Sequence, residues 1–314
     1  MAEQHNLSRL SRADAVVIVA MGLPLILLVP VLFAKPREQA VRTLCAANLA
    51  QIGKAMFLYA GDNAGVLPRA GGPSTVWRGM PSASSWIAPD RRTAFGIGVD
   101  DYGGSASITS SFYLLVKHLG VSPRLFVCAA DRGTREFKLS DSFLPAPREL
   151  ADLWDFGPAS EAFKHCSYTY HIPYGLYVLT TSRDPNLAVA ADRSPWIKSP
   201  AANPSVWTNF RPDIVGLGGV RMGSSDQARI GNSITHQKDG QNVLFLDGRV
   251  RFERRAYCAV EKDNIYTVSR DVTGGDMWGI PPTPGAFCIP TSRADSVLVH
   301  DPPVFPPEKQ EPWR

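Results

Sequence analysis

Asn242-Val243-Leu244-Phe245-Leu246-Asp247-Gly248-Arg249-Val250-Arg251-Phe252-Glu253 is the stretch on which the fold turns. An uncharged run, an Asp-Gly pair and the alternating Arg-Val-Arg-Phe-Glu predict a β-hairpin, because Asp-Gly suits the positive φ angles of a two-residue type I′ turn. The first strand is apolar on both faces and is expected inside a sheet. Val250 and Phe252 give the second strand one core face. Ser167-Tyr168-Thr169-Tyr170 and Leu187-Ala188-Val189-Ala190-Ala191 are further strand candidates, the latter closed by Asp192-Arg193-Ser194-Pro195. Leu125-Phe126-Val127-Cys128 reads as a buried strand, and Ser110 to His118 as a short helix with a serine-rich start.

Upstream, Val41, Leu44, Cys45, Leu49, Ile52, Met56 and Tyr59 recur on one helical face, with Glu38, Arg42, Gln51 and Lys54 mostly elsewhere. Gly61-Asp62-Asn63-Ala64-Gly65 is the stop signal. Before this helix, Ala15 to Ala34 carries no charge, the length that crosses roughly 30 Å of hydrocarbon. A cleaved signal peptide and a buried core helix compete with an uncleaved anchor. Leu32 three residues before the candidate cut disfavours the first, and apolar residues all round the helix disfavour the second. Arg9 and Arg12 precede the segment and Lys35, Arg37 and Arg42 follow it, so the local charge count leaves orientation open.

The 314 residues are 44% hydrophobic and 20% charged, with a net charge of +4, which excludes a disordered or coiled-coil chain. No run of five like charges marks a nucleic-acid surface, so no nucleic-acid partner is expected. The five cysteines, Cys45, Cys128, Cys166, Cys258 and Cys288, show no CxxC or Cys/His spacing. They fit either one or two disulfides, which would place the C-terminal part outside the cytoplasm, or five buried thiols. There is no nucleophile elbow, phosphate loop, zinc-protease or dinucleotide motif. His236, Asp239 and Asp247, with Asp62 and Asn63, could form a metal or acid/base cluster. The turn roles of Asp239-Gly240 and Asp247-Gly248 make a structural role the leading expectation, with no catalytic residue, metal or cofactor. The seven tryptophans are expected mostly in the core or at an interface.

The run Asn232-Ser233-Ile234-Thr235-His236-Gln237-Lys238-Asp239-Gly240-Gln241-Asn242, continuing to Asp247-Gly248, resembles the His…Asp-Gly signature of prepilin-type, pseudopilin-like proteins, the H-X9-DG or DUF1559 group. Ten residues separate His236 from Asp247 where that name implies nine. Cys45-Ala46-Ala47-Asn48-Leu49, Asp62-Asn63, Phe126-Val127-Cys128 with Asp131, and Asp263-Asn264-Ile265-Tyr266-Thr267 are similar to the same family in the same order. The family's Gly-Phe-Thr-Leu-Ile-Glu type cleavage site has no counterpart in Ser11 to Val17.

The resemblance implies an α+β, type IV pilin-like fold: a long N-terminal helix, half membrane-spanning and half amphipathic, packed on an antiparallel β-sheet. The expected organisation is a cytoplasmic N-terminus (1–14), a transmembrane helix (15–34), an amphipathic helix (35–61), an extracytoplasmic domain with loop-rich insertions (62–300) and a proline-rich tail (301–314). Cys45, Asn48, Asp62, Asn63, His236, Asn242, Asp247 and Gly248 are the family-signature residues. The expected function is that of a non-enzymatic structural component of a type II secretion or type IV pilus-related assembly, in the inner membrane. Its partners would be membrane lipid and other pilin-like subunits or copies of itself. The alternative is a tethered extracytoplasmic module binding a carbohydrate or metal.

Overall fold

The computed structural model describes residues 12–141, 148–216, 219–285 and 288–305, and for 12–19, 21–36 and 141 the backbone alone. Backbone contacts divide the chain into residues 1–41 and 42–314. In the first unit the described chain is helical. The elements in chain order are α1 (Arg12–Asp62), β1 (Val76–Trp77), α2 (Arg91–Phe95), β2 (Ser105–Ala106), α3 (Ile108–Leu119), β3 (Tyr168–His171), β4 (Ala188–Asp192), α4 (Ser225–Arg229), β5 (Gln241–Phe245), β6 (Val250–Glu253) and β7 (Leu298–Val299). Short 3-10 turns and long irregular segments join them.

One sheet has the order β6-β5-β4-β3-β7, antiparallel throughout, and β1 and β2 form a separate parallel pair. β5 is interior and fully buried, while Val250 and Phe252 on the edge strand β6 are half-buried. The register pairs Leu244 with Val250, and Phe245 N–H donates to Arg249 C=O at 3.0 Å. The turn therefore has three residues, Leu246-Asp247-Gly248, and only Gly248 has positive φ, +85°. The expected type I′ turn is replaced because Leu246 and Asp247 remain bonded to the neighbouring chain, their N–H groups donating to Leu187 and Pro185 carbonyls at 3.0 and 3.2 Å. Leu125–Cys128 is not a strand either: Pro123–Phe126 is a 3-10 turn, started by a proline that has no N–H to give a ladder. The helix expected from Ser110 begins at Ile108, with Ser107 as its N-cap.

From Arg42 on, α1 buries Cys45, Leu49, Ile52, Met56 and Ala60, a helical stripe laid on the sheet. Gly53 permits this approach, since a Cβ there would come within 2.8 Å of Leu244 Cδ1. Leu44, expected on the same stripe, is 59% exposed. The helix stops where the Gly61-to-Gly65 signal places it: Asn63 Nδ2 donates to Tyr59 O at 2.7 Å and Gly65 N to Ala60 O at 2.8 Å. Most tryptophans whose burial is described are core residues, among them Trp77, Trp86, Trp154 and Trp196.

Two expectations are corrected here. Among the described residues no helix is long and apolar enough to cross a membrane, so the single-pass inner-membrane anchor with an extracytoplasmic domain is withdrawn. From Arg37 onward α1 carries Arg37, Glu38, Arg42 and Lys54 among its apolar positions, and Cys45, Leu49, Ile52, Met56 and Ala60 are spent on the sheet. The side chains of 15–34 other than Ala20, and all of 1–11 and 306–314, lie outside the described residues. The fold is likewise not the expected pilin-like α+β arrangement of one half-membranous helix on one antiparallel sheet. Beyond α1 the described residues build three short helices, a parallel pair and extensive irregular structure around the five-stranded sheet.

Buried aspartates hold that irregular structure. Asp301 accepts from Trp77 Nε1, Ile108 N and Thr109 N at 2.8–2.9 Å. Asp155 accepts from Ser107 Oγ, from Thr109 Oγ1 at 3.1 Å and from Phe156 N at 2.8 Å. Both sit at the N-terminus of α3, where a helix favours negative charge. Burial nevertheless pushes the Asp155 carboxyl up to about 7, and that of Asp301 upward.

Two outcomes follow from this packing. Leu49→Ala is expected to cost about 2–5 kcal/mol in denaturant unfolding, and Lys54→Ala to stay within about 0.5 kcal/mol; equal effects would refute the helix-face assignment. For Asp155, a folded-state pKa above the ordinary carboxyl value means that its contribution is full below about pH 4 and is lost as pH rises through about 7. Calorimetry is therefore expected to show melting falling from about pH 5 to pH 8, with a flatter profile in Asp155→Asn.

Candidate functional site

The signature residues converge at the start of β5. α4 is fixed by a reciprocal capping box, Ser224 with Gln227, and the chain then turns through Asn232, whose Nδ2 donates to Lys238 O at 3.0 Å and Arg254 O at 2.9 Å. Ser233 N donates to Gln241 Oε1 at 3.1 Å. Gln237 and Lys238 both have positive φ, 57° and 59°, a strained conformation for side-chain-bearing residues that surrounding bonds must hold. Arg229 Nε also donates to Lys238 O, and Asp239 N closes back on His236 O at 3.0 Å. Gly240 completes the loop because a Cβ there would lie 2.3 Å from Glu253 O.

This loop delivers His236 into a sealed interior. Its Nε2 faces Asp192 Oδ2 at 3.3 Å, Asn242 Nδ2 at 3.4 Å and Cys128 Sγ at 3.9 Å. Asp192 Oδ2 also accepts from Asn242 N at 2.6 Å. Cys128 is joined to Cys45 by a disulfide, Cα atoms 5.2 Å apart, closing a separation of 83 residues. Cys45, Cys128, Asp192 and His236 are all buried. Around them, Asn242 Nδ2 donates to Arg42 O at 3.3 Å, Asn48 Nδ2 to Val127 O at 3.1 Å and Tyr168 Oη to Cys45 O at 3.4 Å. Asp239 is shared by Arg42 and Arg229 at 2.8 and 2.5 Å, and Arg42 lies 4.5 Å over the Phe252 ring.

Behind the histidine, Arg193 is fully buried. Its Nε donates to Asp131 Oδ2 at 2.6 Å, and Nη2 to Cys166 O, Phe163 O and Thr134 Oγ1 at 2.6–3.0 Å. Asp131 N in turn donates to Cys128 O at 2.9 Å.

The structure thus brings together Cys45, Asn48, His236 and Asn242. It does not bring Asp247, Gly248, Asp62 or Asn63 to them. Asp247 lies at the far end of β5, about 16 Å along an extended strand, where it ion-pairs with Arg249. Asp62 and Asn63 are exposed at the end of α1, beyond Phe57, which faces Gly248. The cluster of His236 with Asp247, Asp62 and Asn63 does not form. Sequence reasoning missed Asp192 and Arg193, read only as a strand stop, and missed the disulfide partner, which no spacing encodes. A charged pair ending an otherwise apolar strand was the available signal. Cys166, Cys258 and Cys288 remain thiols, and burial holds each above the usual range, Cys166 and Cys288 at about 12.

With the disulfide closed, the arrangement is a covalent and polar clamp joining α1, the 128–131 turn, the end of β4 and the loop before β5. His236→Ala is expected to destabilise the chain by about 2–4 kcal/mol, because it opens a void and strips a partner from the buried Asp192 carboxylate; a shift below about 0.5 kcal/mol in denaturant unfolding would refute the clamp. No protein-family model, curated protein or solved structure matches this chain.

Proposed function

We propose that the chain is a non-enzymatic structural protein that assembles with copies of itself or with related subunits, in the manner of secretion-system and pilus-related assemblies. The observation that carries this is the outer face of α1. Leu44 and Leu58, fourteen residues apart and so on nearly the same side of a helix, are 59% and 67% exposed. Ala47, Gln51 and Lys54 between them are exposed as well, so apolar and polar side chains share this face. Two exposed leucines and an alanine on an outward face suit packing against another helix, with Gln51 and Lys54 left to polar contacts beside it. The inner face is clamped by the disulfide and the His236 network, which fits a helix that must keep its place while its outer side is loaded. Catalysis is not called for, since the histidine an enzyme would use is buried behind α1.

Light scattering and negative-stain microscopy of the full-length chain test this. The wild type is expected to form oligomers or filaments. Leu44→Lys with Leu58→Lys should weaken association about a hundredfold, from roughly 1.5 kcal/mol lost per leucine, while leaving melting nearly unchanged. A wild type that stays monomeric at every concentration, or a double variant that assembles as well as the wild type, would overturn the proposal.

A further inference from the structure

Three atoms of ligand type, Cys45 Sγ, Cys128 Sγ and a ring nitrogen of His236, lie within 4.8 Å of one another, and all three residues are buried. They arrive from α1, from the turn after a 3-10 segment and from the loop before β5. A disulfide alone needs neither an imidazole nor a carboxylate beside it, and burying such groups is costly unless they are used. Here Nε2 of His236 is approached by Asp192 Oδ2, Asn242 Nδ2 and Cys128 Sγ at 3.3, 3.4 and 3.9 Å. One lone pair or one N–H cannot serve all three, and each separation is long for a hydrogen bond of its type. The other oxygen of the fully buried Asp192, Oδ1, has no hydrogen-bond partner among the described residues. Two sulfurs, an imidazole and a carboxylate form the donor set that a borderline-soft divalent ion takes in tetrahedral geometry.

We propose that the Cys45–Cys128 crosslink exchanges with a reduced state, and that in this state one zinc-class divalent ion is held by Cys45, Cys128 and His236, with Asp192, 3.3 Å from the His236 ring, turning inward to supply the fourth ligand. A dithiol reductant supplies two electrons and two protons: the S–S bond breaks, two thiols form, and the reductant becomes a disulfide. Metal binding then releases the two thiol protons to solvent. In the reverse direction a small-molecule disulfide accepts the two electrons, the crosslink reforms and the ion leaves. Thiolates on one tetrahedral ion stand about 3.8 Å apart for bonds near 2.3 Å, a spread that rotation about χ1 supplies when the Cα atoms are 5.2 Å apart.

The test uses the full-length chain and Co²⁺ as a spectroscopic probe, with free thiols counted beforehand. The chain with all five thiols free is expected to bind one equivalent of Co²⁺, giving thiolate-to-cobalt charge-transfer absorption that Zn²⁺ abolishes. The oxidised chain should give none. Replacing Cys166, Cys258 and Cys288 together by Ser should leave the spectrum intact, while Cys45→Ser removes it and His236→Gln or Asp192→Asn weakens binding tenfold or more. Zn²⁺ should raise the melting temperature of the reduced chain alone. Should Cys45→Ser fail to fold, the oxidised wild type serves as the non-binding comparison. A reduced chain without the charge-transfer band, including one that unfolds on reduction and is not restored by Co²⁺, would overturn the proposal, as would a band that persists in Cys45→Ser. These readouts follow the metal and not assembly, so either proposal can fail without the other.

Discussion

Two consecutive residues, Asp192 at the end of β4 and Arg193 just after it, hold the molecule together by taking different partners. Asp192 reaches the loop before β5, where it accepts from Asn242 N and faces His236. Arg193 ties Asp131 to the backbone of Phe163 and Cys166. Each charge is buried, so each would be a liability if its partners were lost. Because Asp131 is bonded to Cys128 and Cys128 to Cys45, the two residues belong to one connected network. The position of α1, the strained Gln237-Lys238 loop and the starting point of β5 all depend on it.

The same economy appears wherever regular structure is absent. Asp263 accepts from Asp276 N and Ser296 N, and Asp295 accepts from Ser269 N and Thr291 N. Asp301 does this for two residues of α3. A carboxylate can take several N–H donors, so a buried aspartate replaces the ladder partners that a loop lacks. Desolvation raises the proton affinity of all three, which is the electrostatic cost of using carboxylates as backbone surrogates.

What was legible in the sequence was local. The hairpin 242–253, the strands around Tyr168 and Ala188, the capped helix near Ser110 and the stop at Gly61 are each set by periodicity or turn chemistry within a dozen residues. The turn type at Asp247-Gly248 was not, because bonds from Leu246 and Asp247 to Leu187 and Pro185 outweigh the preference of the dipeptide. Neither was β7, which two residues near the C-terminus add to the sheet edge. For the site, His236, Asn242, Cys45 and Asn48 stood out as a group. The group was completed wrongly with Asp247, Asp62 and Asn63, since strand length separates what a short motif seems to unite. Asp192 and the partner of Cys45 come from distant chain, and only the fold brings them in.

The crosslink enters α1 near the start of the part that lies on the sheet, while Gly53 and Phe57 meet β5 and its turn further along. Helix and strand run the same way. Tension applied to the chain ahead of Arg42 therefore does not peel the helix off turn by turn. It meets Arg42, held by Asn242 Nδ2 and Asp239, and then Cys45, from which it passes through the covalent bond to Cys128 and on through Asp131 and Arg193 to the end of a central strand. The load is thus divided between the start of β5 and the end of β4, both interior strands, ahead of the apolar contacts further along the helix.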